Sequence, residues 1–123
     1  MAGSGPLPVM ASSFRDLRAW QEAARLSDDI HRIVSRWPKF ELWSLGIRLV
    51  RSADSIPANI AEASGRWTQP DQRRLFLIAR GSLCETENWL LRAEARGLIT
   101  DEPRLRLEAL ARALNGLVHQ KKR

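Results

Sequence analysis

Between residues 16 and 37 the apolar side chains Leu17, Trp20, Ala24, Ile30, Ile33, Val34 and Trp37 recur at three- and four-residue steps. That is the repeat of an amphipathic helix with one face on a core. Pro38 ends it, because the residue before a proline is driven out of the helical region. A second run from Glu41 turns Leu42, Leu45, Leu49, Ala53, Ile56 and Ile60 toward one side. Pro57 lies inside that run, where it removes a backbone donor and crowds the Ala53 carbonyl. A kink or short break is expected there, with Asn59 helping to satisfy the freed groups. Ser64-Gly65 forms the stop.

Thr68 to Asp71 carry the start signals of a third helix, with Pro70 in its first turn. It runs to about Arg96, and Leu75, Ile78, Ala79, Ser82, Leu83, Thr86, Trp89, Leu90 and Ala93 make a broad inner face. Gly97 is its natural C-terminal cap. Leu77, Cys84 and Leu91 stand beside the main stripe at seven-residue spacing, more apolar circumference than a lone bundle uses, and mark a candidate subunit interface. Thr100 or Asp101 caps a fourth helix with Pro103 in its first turn and a narrow stripe of Leu107, Leu110, Leu114, Leu117 and Val118. Interior Gly81 costs about 1 kcal/mol relative to alanine. Close approach of a neighbouring helix near Pro57 is the expected offset, with a ligand contact as the alternative.

Four amphipathic runs joined by short connections predict an all-α fold, an antiparallel up-and-down four-helix bundle, over residues 14–120. Residues 1–13 have no charged side chain and are rich in Gly, Pro and Ser. They read as a disordered tail, with Met10 an alternative start. Residues 121–123 form a basic tail. The 123-residue length suits one domain, and no apolar run approaches the roughly 20 residues that cross a bilayer. Without a signal-peptide pattern, the chain is expected in the cytoplasm and away from membranes. One cysteine excludes an intrachain disulfide framework, and Cys84 reads as a small core residue.

Charge changes the picture more than composition does. The formal net charge is +6, and seventeen of the twenty basic residues are Arg, a balance that suits an acidic partner such as RNA or DNA. The excess lies late: residues 14–64 carry eight basic and seven acidic side chains, residues 101–123 six and three. Arg48 and Arg51 on the second helix, Arg66, Arg73 and Arg74 around the next turn, and Lys121, Lys122 and Arg123 are the candidates for phosphate contact, against a reading as solvated arginines.

Catalytic patterns are missing. The seven glycines form neither a dinucleotide fingerprint nor a P-loop. His31 and His119 sit at opposite ends of the chain, no serine occupies a nucleophile elbow, and no nucleophilic triad follows. Asp28 and His31 are one helical turn apart, yet a di-metal bundle needs two Glu-x-x-His motifs and two further glutamates. They read as a solvated or locally paired couple, so neither a metal, a cofactor nor an enzyme is expected. Glu62 and Arg66, four apart, are placed to pair on a helix surface.

These residues also carry a resemblance. Phe14-Arg15-Asp16-Leu17-Arg18-Ala19-Trp20-Gln21-Glu22-Ala23, Trp37-Pro38, Ser55-Ile56-Pro57-Ala58-Asn59-Ile60-Ala61-Glu62 with Gly65-Arg66, and Ile78-Ala79-Arg80-Gly81-Ser82-Leu83-Cys84-Glu85 resemble the four-helix-bundle proteins encoded within intervening sequences of bacterial large-subunit ribosomal RNA. The match spans residues 14 to about 99. It implies a bundle that assembles into a ring, typically a homopentamer, without enzymatic activity. Similar bundles serve as accessory proteins of diversity-generating retroelements, which implies nucleic acid and a reverse transcriptase as possible partners. Carried over by position, Ser55, Pro57, Asn59, Glu62, Arg66, Gly81 and Ser82 are signature residues, read first as structural. Arg48, Asp54 and Ala63 depart from the common pattern, and Ala63 in place of glycine lets the second helix continue past Glu62 to Gly65. The resulting expectation is a non-enzymatic homo-oligomer that binds RNA through a basic surface. The alternative is a protein-only adaptor whose charge is incidental.

Overall fold

The computed structural model describes residues 14–120. The expectations for residues 1–13 and 121–123 lie outside them. Among the described residues the chain is a four-helix bundle without strands. In order come α1 (Arg18–Val34), α2 (Lys39–Glu41), α3 (Ile47–Ser64), α4 (Gln69–Ala95), α5 (Glu102–Leu105) and α6 (Leu107–Val118). The four long helices are α1, α3, α4 and α6.

A 3₁₀ turn over Phe14–Asp16 precedes α1. The helix ends at Val34, short of the expected Trp37, in a tight turn where Arg36 N–H donates to Ile33 O at 3.1 Å and Trp37 N–H to Val34 O at 2.9 Å. This folds Trp37 back onto the core, and its indole N–H reaches Leu98 O at 3.1 Å. The chain then winds through α2 and a π-helical turn, Leu42–Gly46, directly into α3. The π turn was not expected. Its cause is local packing: Gly46 lies so close to Val34 and Trp37 that any side chain would collide with them.

No break occurs at Pro57: α3 runs unbroken through it to Ser64. The Asn59 amide is spent on Ser55, at 2.8 Å from its carbonyl and 3.0 Å from its hydroxyl, rather than on the Ala53 carbonyl. Continuation past Glu62 holds, because Ala63 is buried and helical.

Thr68 caps α4 as expected, its hydroxyl accepting from Asp71 N–H at 3.3 Å. At the other end Gly97 adopts φ +71°, Leu98 N–H donates to Ala93 O at 2.9 Å, and Gly97 N–H to Glu94 O at 3.0 Å. That pairing is a Schellman closure. The fourth run is split at Arg106 into α5 and α6, and Asp101 precedes α5 without a side-chain cap. Two ion pairs hold this segment down. Arg104 grips Glu94 of α4 at 2.6 and 3.1 Å, and Arg106 reaches Asp29 of α1 at 2.8 Å.

Leu26, Ile30, Leu49, Ile56, Ile60, Leu90, Leu110 and Leu114 form the fully buried centre, each contributing about 1.5–3 kcal/mol by leaving water. Three sequence assignments change. Cys84 is exposed, not in the core. Ile78 is exposed too, and Phe76, two residues earlier, is buried. Leu26 replaces Ala24 as the deep residue of α1. The rest of the expected α4 stripe stands: Leu75, Ala79, Leu83, Thr86, Leu90 and Ala93 are all buried, and Phe76 widens it on one side.

Candidate nucleic-acid interface

A polar seam ties the bundle together beneath the candidate residues. Ser55 and Ser82 hydroxyls lie 2.7 Å apart, and the Thr86 hydroxyl stands 3.0 Å from Ser52 Oγ and 2.8 Å from the Ser82 carbonyl. Ser27 of α1 donates to Asp54 of α3. Every hydroxyl in the seam has a partner, so it fixes which residues of α3 face α4 and α1 at little cost. Ser55 and Ser82 of the signature set therefore hold α3 to α4, while Asn59 braces Ser55 within α3. Gly81 does not: a Cβ there would meet nothing within 4 Å, so the expected close approach to α3 is absent. Its neighbour Ser82 makes the contact instead.

The basic candidates fall into two groups. Arg48 and Arg51 are exposed on α3, with the Arg48 guanidinium 5.6 Å from the centre of the Trp89 ring, a cation–π contact. Arg66 follows the far end of α3 at Ser64, which is 13 residues or roughly 20 Å of helix beyond Arg51, and Arg73 and Arg74 stand in the first turns of α4. The structure does not bring the two groups together.

The second group is built by the turn Gly65-Arg66-Trp67-Thr68. With α3 ending at Ser64 and Thr68 capping α4, Trp67 has no helix face to bury and projects 98% exposed. Arg66 pairs with Glu62, as expected, and lies 3.9 Å from Asp71, while Arg74 is 3.6 Å from the same carboxylate. Arg73 is exposed and makes no ion pair among the described residues. Gln72 Nε2 donates to Arg66 O at 3.0 Å and Gln69 Nε2 to Gln120 O at 2.7 Å. The second bond brings the end of α6 beside this turn. Lys121, Lys122 and Arg123 lie outside the described residues.

Sequence reasoning passed over Trp67. The signal was available: a large aromatic between a helix stop and a helix cap has nothing to pack on. Phe40 and Trp43 form another exposed aromatic pair, 79% and 66% exposed, beside Lys39 and Ser44 at the α2 end. Leu77, Cys84 and Leu91 are all exposed on the outer face of α4. Among the described residues no group of three or more His, Cys, Asp or Glu could hold a metal, and no helix is long and apolar enough to cross a membrane.

Trp67 and the arginines on either side of it set an aromatic plane and positive charge at one exposed turn. Comparison with individually curated proteins finds no match for this chain. The family model of the 23S rRNA-intervening sequence proteins matches residues 15–120. With that match covering the whole described bundle but its first residue, the chain belongs to the 23S rRNA-intervening sequence protein family.

Proposed function

We propose that this protein is a non-enzymatic, homo-oligomeric bundle that binds structured RNA through the turn between α3 and α4. One observation carries the reading: Trp67 stands 98% exposed with Arg66 beside it and Arg73 and Arg74 in the next helical turn. An unpaired base stacked on an aromatic ring gains about 1–3 kcal/mol, and arginines nearby hold the adjoining phosphates. The +6 charge adds long-range attraction. Up-and-down antiparallel helix order is supported by the pairings Arg48 with Trp89, Ser52 with Thr86 and Ser55 with Ser82, in which one number rises as the other falls. A ring, the homopentamer that the resemblance implies, would repeat the Trp67 turn around one assembly and multiply weak contacts. DNA and a reverse transcriptase remain candidate partners of the same basic surface.

The test is binding of purified protein to a hairpin RNA with an unpaired loop, measured across salt concentrations. Wild type should weaken steeply with salt. Trp67→Ala should lose about 5- to 100-fold at fixed salt, and Arg73→Ala with Arg74→Ala should reduce the salt slope by about 1 to 2. Trp43→Ala should change little. No binding at low salt would overturn the RNA reading in favour of a protein adaptor, for which the Phe40–Trp43 pair is the observation in favour.

A further inference from the structure

The outer face of α4 has a pattern that the bundle itself does not use. Opposite the buried side of this helix stand Leu77, Gly81, Cys84, Asn88, Leu91 and Ala95, every one exposed. Their spacing alternates four and three, the a/d repeat of a helix that packs along a second helix. Leu77, Cys84 and Leu91 take one position of the heptad, and Gly81, Asn88 and Ala95 the other. Gly81 sits at the middle of this seam, in open space, where no contact within the chain explains a helix-weakening residue.

The charges along one edge of the seam point to the partner. That edge reads Arg73, Arg80, Glu87, Glu94, basic first and acidic last; the other carries Asp71, Ile78, Glu85 and Arg92, with Asp71 already beside Arg66 and Arg74 and Glu85 accepting from the Trp89 indole. An edge that reverses sign along its length complements a copy of itself running the opposite way. The geometry points to a two-fold contact in which α4 packs antiparallel on α4 of a second copy, with Arg80 of each chain beside Glu87 of the other. The same register sets Arg73 beside Glu94 and Arg92 beside Asp71.

It also places large residues against small ones: Leu77 against Asn88, and Gly81 against Cys84. Helix axes approach closely where glycine lies, so Gly81 at the centre has a reason in the pair that it lacks in the single chain. A parallel pairing would set Arg74 against its own copy and Gly81 against Gly81, with Arg80 beside Glu85 and Glu87 beside Arg92; reversing the charges at 80 and 87 together separates the two arrangements, because it restores the antiparallel pairs and sets like charges together in the parallel one. Glu94 is already held by Arg104, so the Arg80–Glu87 couple is the one to test. Neither residue has an ion pair among the described residues.

This inference rests on the homo-oligomer reading and names the surface and symmetry of one contact. A two-fold contact closes at two copies; in a ring whose neighbours meet through other faces, the seam would join two rings.

Sedimentation velocity of the full chain over a concentration and salt series tests it. Arg80→Glu and Glu87→Arg should each weaken the two-fold association by about tenfold or more, since symmetry doubles every new like-charge pair. The double variant should recover to within about threefold of wild type, whereas a parallel pair would be driven further apart. Wild type gives a readout without substitution: the two Cys84 residues flank the axis one layer apart, so a short bismaleimide should join them. Higher oligomers that neither reversal weakens, or a double variant that does not recover, would overturn the seam while leaving homo-oligomerisation standing. So would the absence of Cys84-linked pairs in an oligomeric sample. A monomer at every concentration would overturn both.

Discussion

Replacing Gly46 by alanine tests the packing that shapes the start of α3. A Cβ at that position would lie 2.7 Å from Val34 Cγ1, 3.3 Å from the Glu41 carbonyl oxygen and 3.4 Å from Trp37 Cε3. Carbon atoms rest at about 3.5–4.0 Å, so the first contact must open by about 1 Å. Val34 cannot turn aside easily: it is β-branched, stiff about χ1 in a helix, and only 1% exposed. Overpacking of this kind costs about 1–3 kcal/mol, while alanine recovers up to about 1 kcal/mol of helix propensity. With the 2.7 Å contact on a buried valine placing the cost at about 2–3 kcal/mol, the net is a loss of about 1–2 kcal/mol, which for a domain of this size lowers Tm by roughly 3–10 °C. Urea unfolding at low protein concentration measures it directly, with Gly81→Ala as control. There the added methyl meets nothing within 4 Å, and the single chain should gain about 0.5–1 kcal/mol. A double-mutant cycle with Val34→Ala should show coupling of about 1 kcal/mol or more. If Gly46→Ala is as stable as wild type, the collision relaxes freely and close packing is not what places the π turn.

The remaining expectations are shorter. The Arg106 guanidinium, bonded to Asp29, holds that carboxyl below the ordinary aspartate range, with Arg32 adding to the effect. A carboxylate with a depressed pKa stabilises the fold above its unfolded value, near 4, and the stabilisation disappears as pH falls through the folded value. Asp29→Asn should therefore reduce stability at pH 7, and its deficit should shrink as pH falls below the ordinary aspartate range; a deficit that does not change with pH would refute the linkage. Pro57→Ala should leave helical circular dichroism nearly unchanged, because α3 already runs unbroken through this position, while altering assembly; complete loss of folding would refute a shaping role for the proline.

The sequence alone determined the helices and their rough limits. Periodic apolar residues, Pro38, the Thr68 cap and the Gly97 stop act locally, through dihedral preference and the nearest turn, and each was legible. The edges of the inner faces were not. Whether Ala24 or Leu26, Ile78 or Phe76, faces inward depends on what the other helices leave open, although Ile30, Val34, Leu75, Ala79, Leu83, Leu90 and Ala93 lie inside as their spacing indicates. The same holds for glycine. The sequence marked Gly81 as the position of close approach, whereas the neighbour that crowds a glycine is the Val34–Trp37 corner against Gly46, 12 and 9 residues earlier in the chain. Of the kink or short break expected at Pro57, the break does not occur; burial of Ile56 and Ile60 on either side holds the segment helical. Of the candidate interface, the arginines were visible as composition, but their division into two groups was not, since separation in space follows from where α3 and α4 run. Trp67 became the centre of that interface only through its exposure, a property that no residue type carries until the rest of the chain has packed.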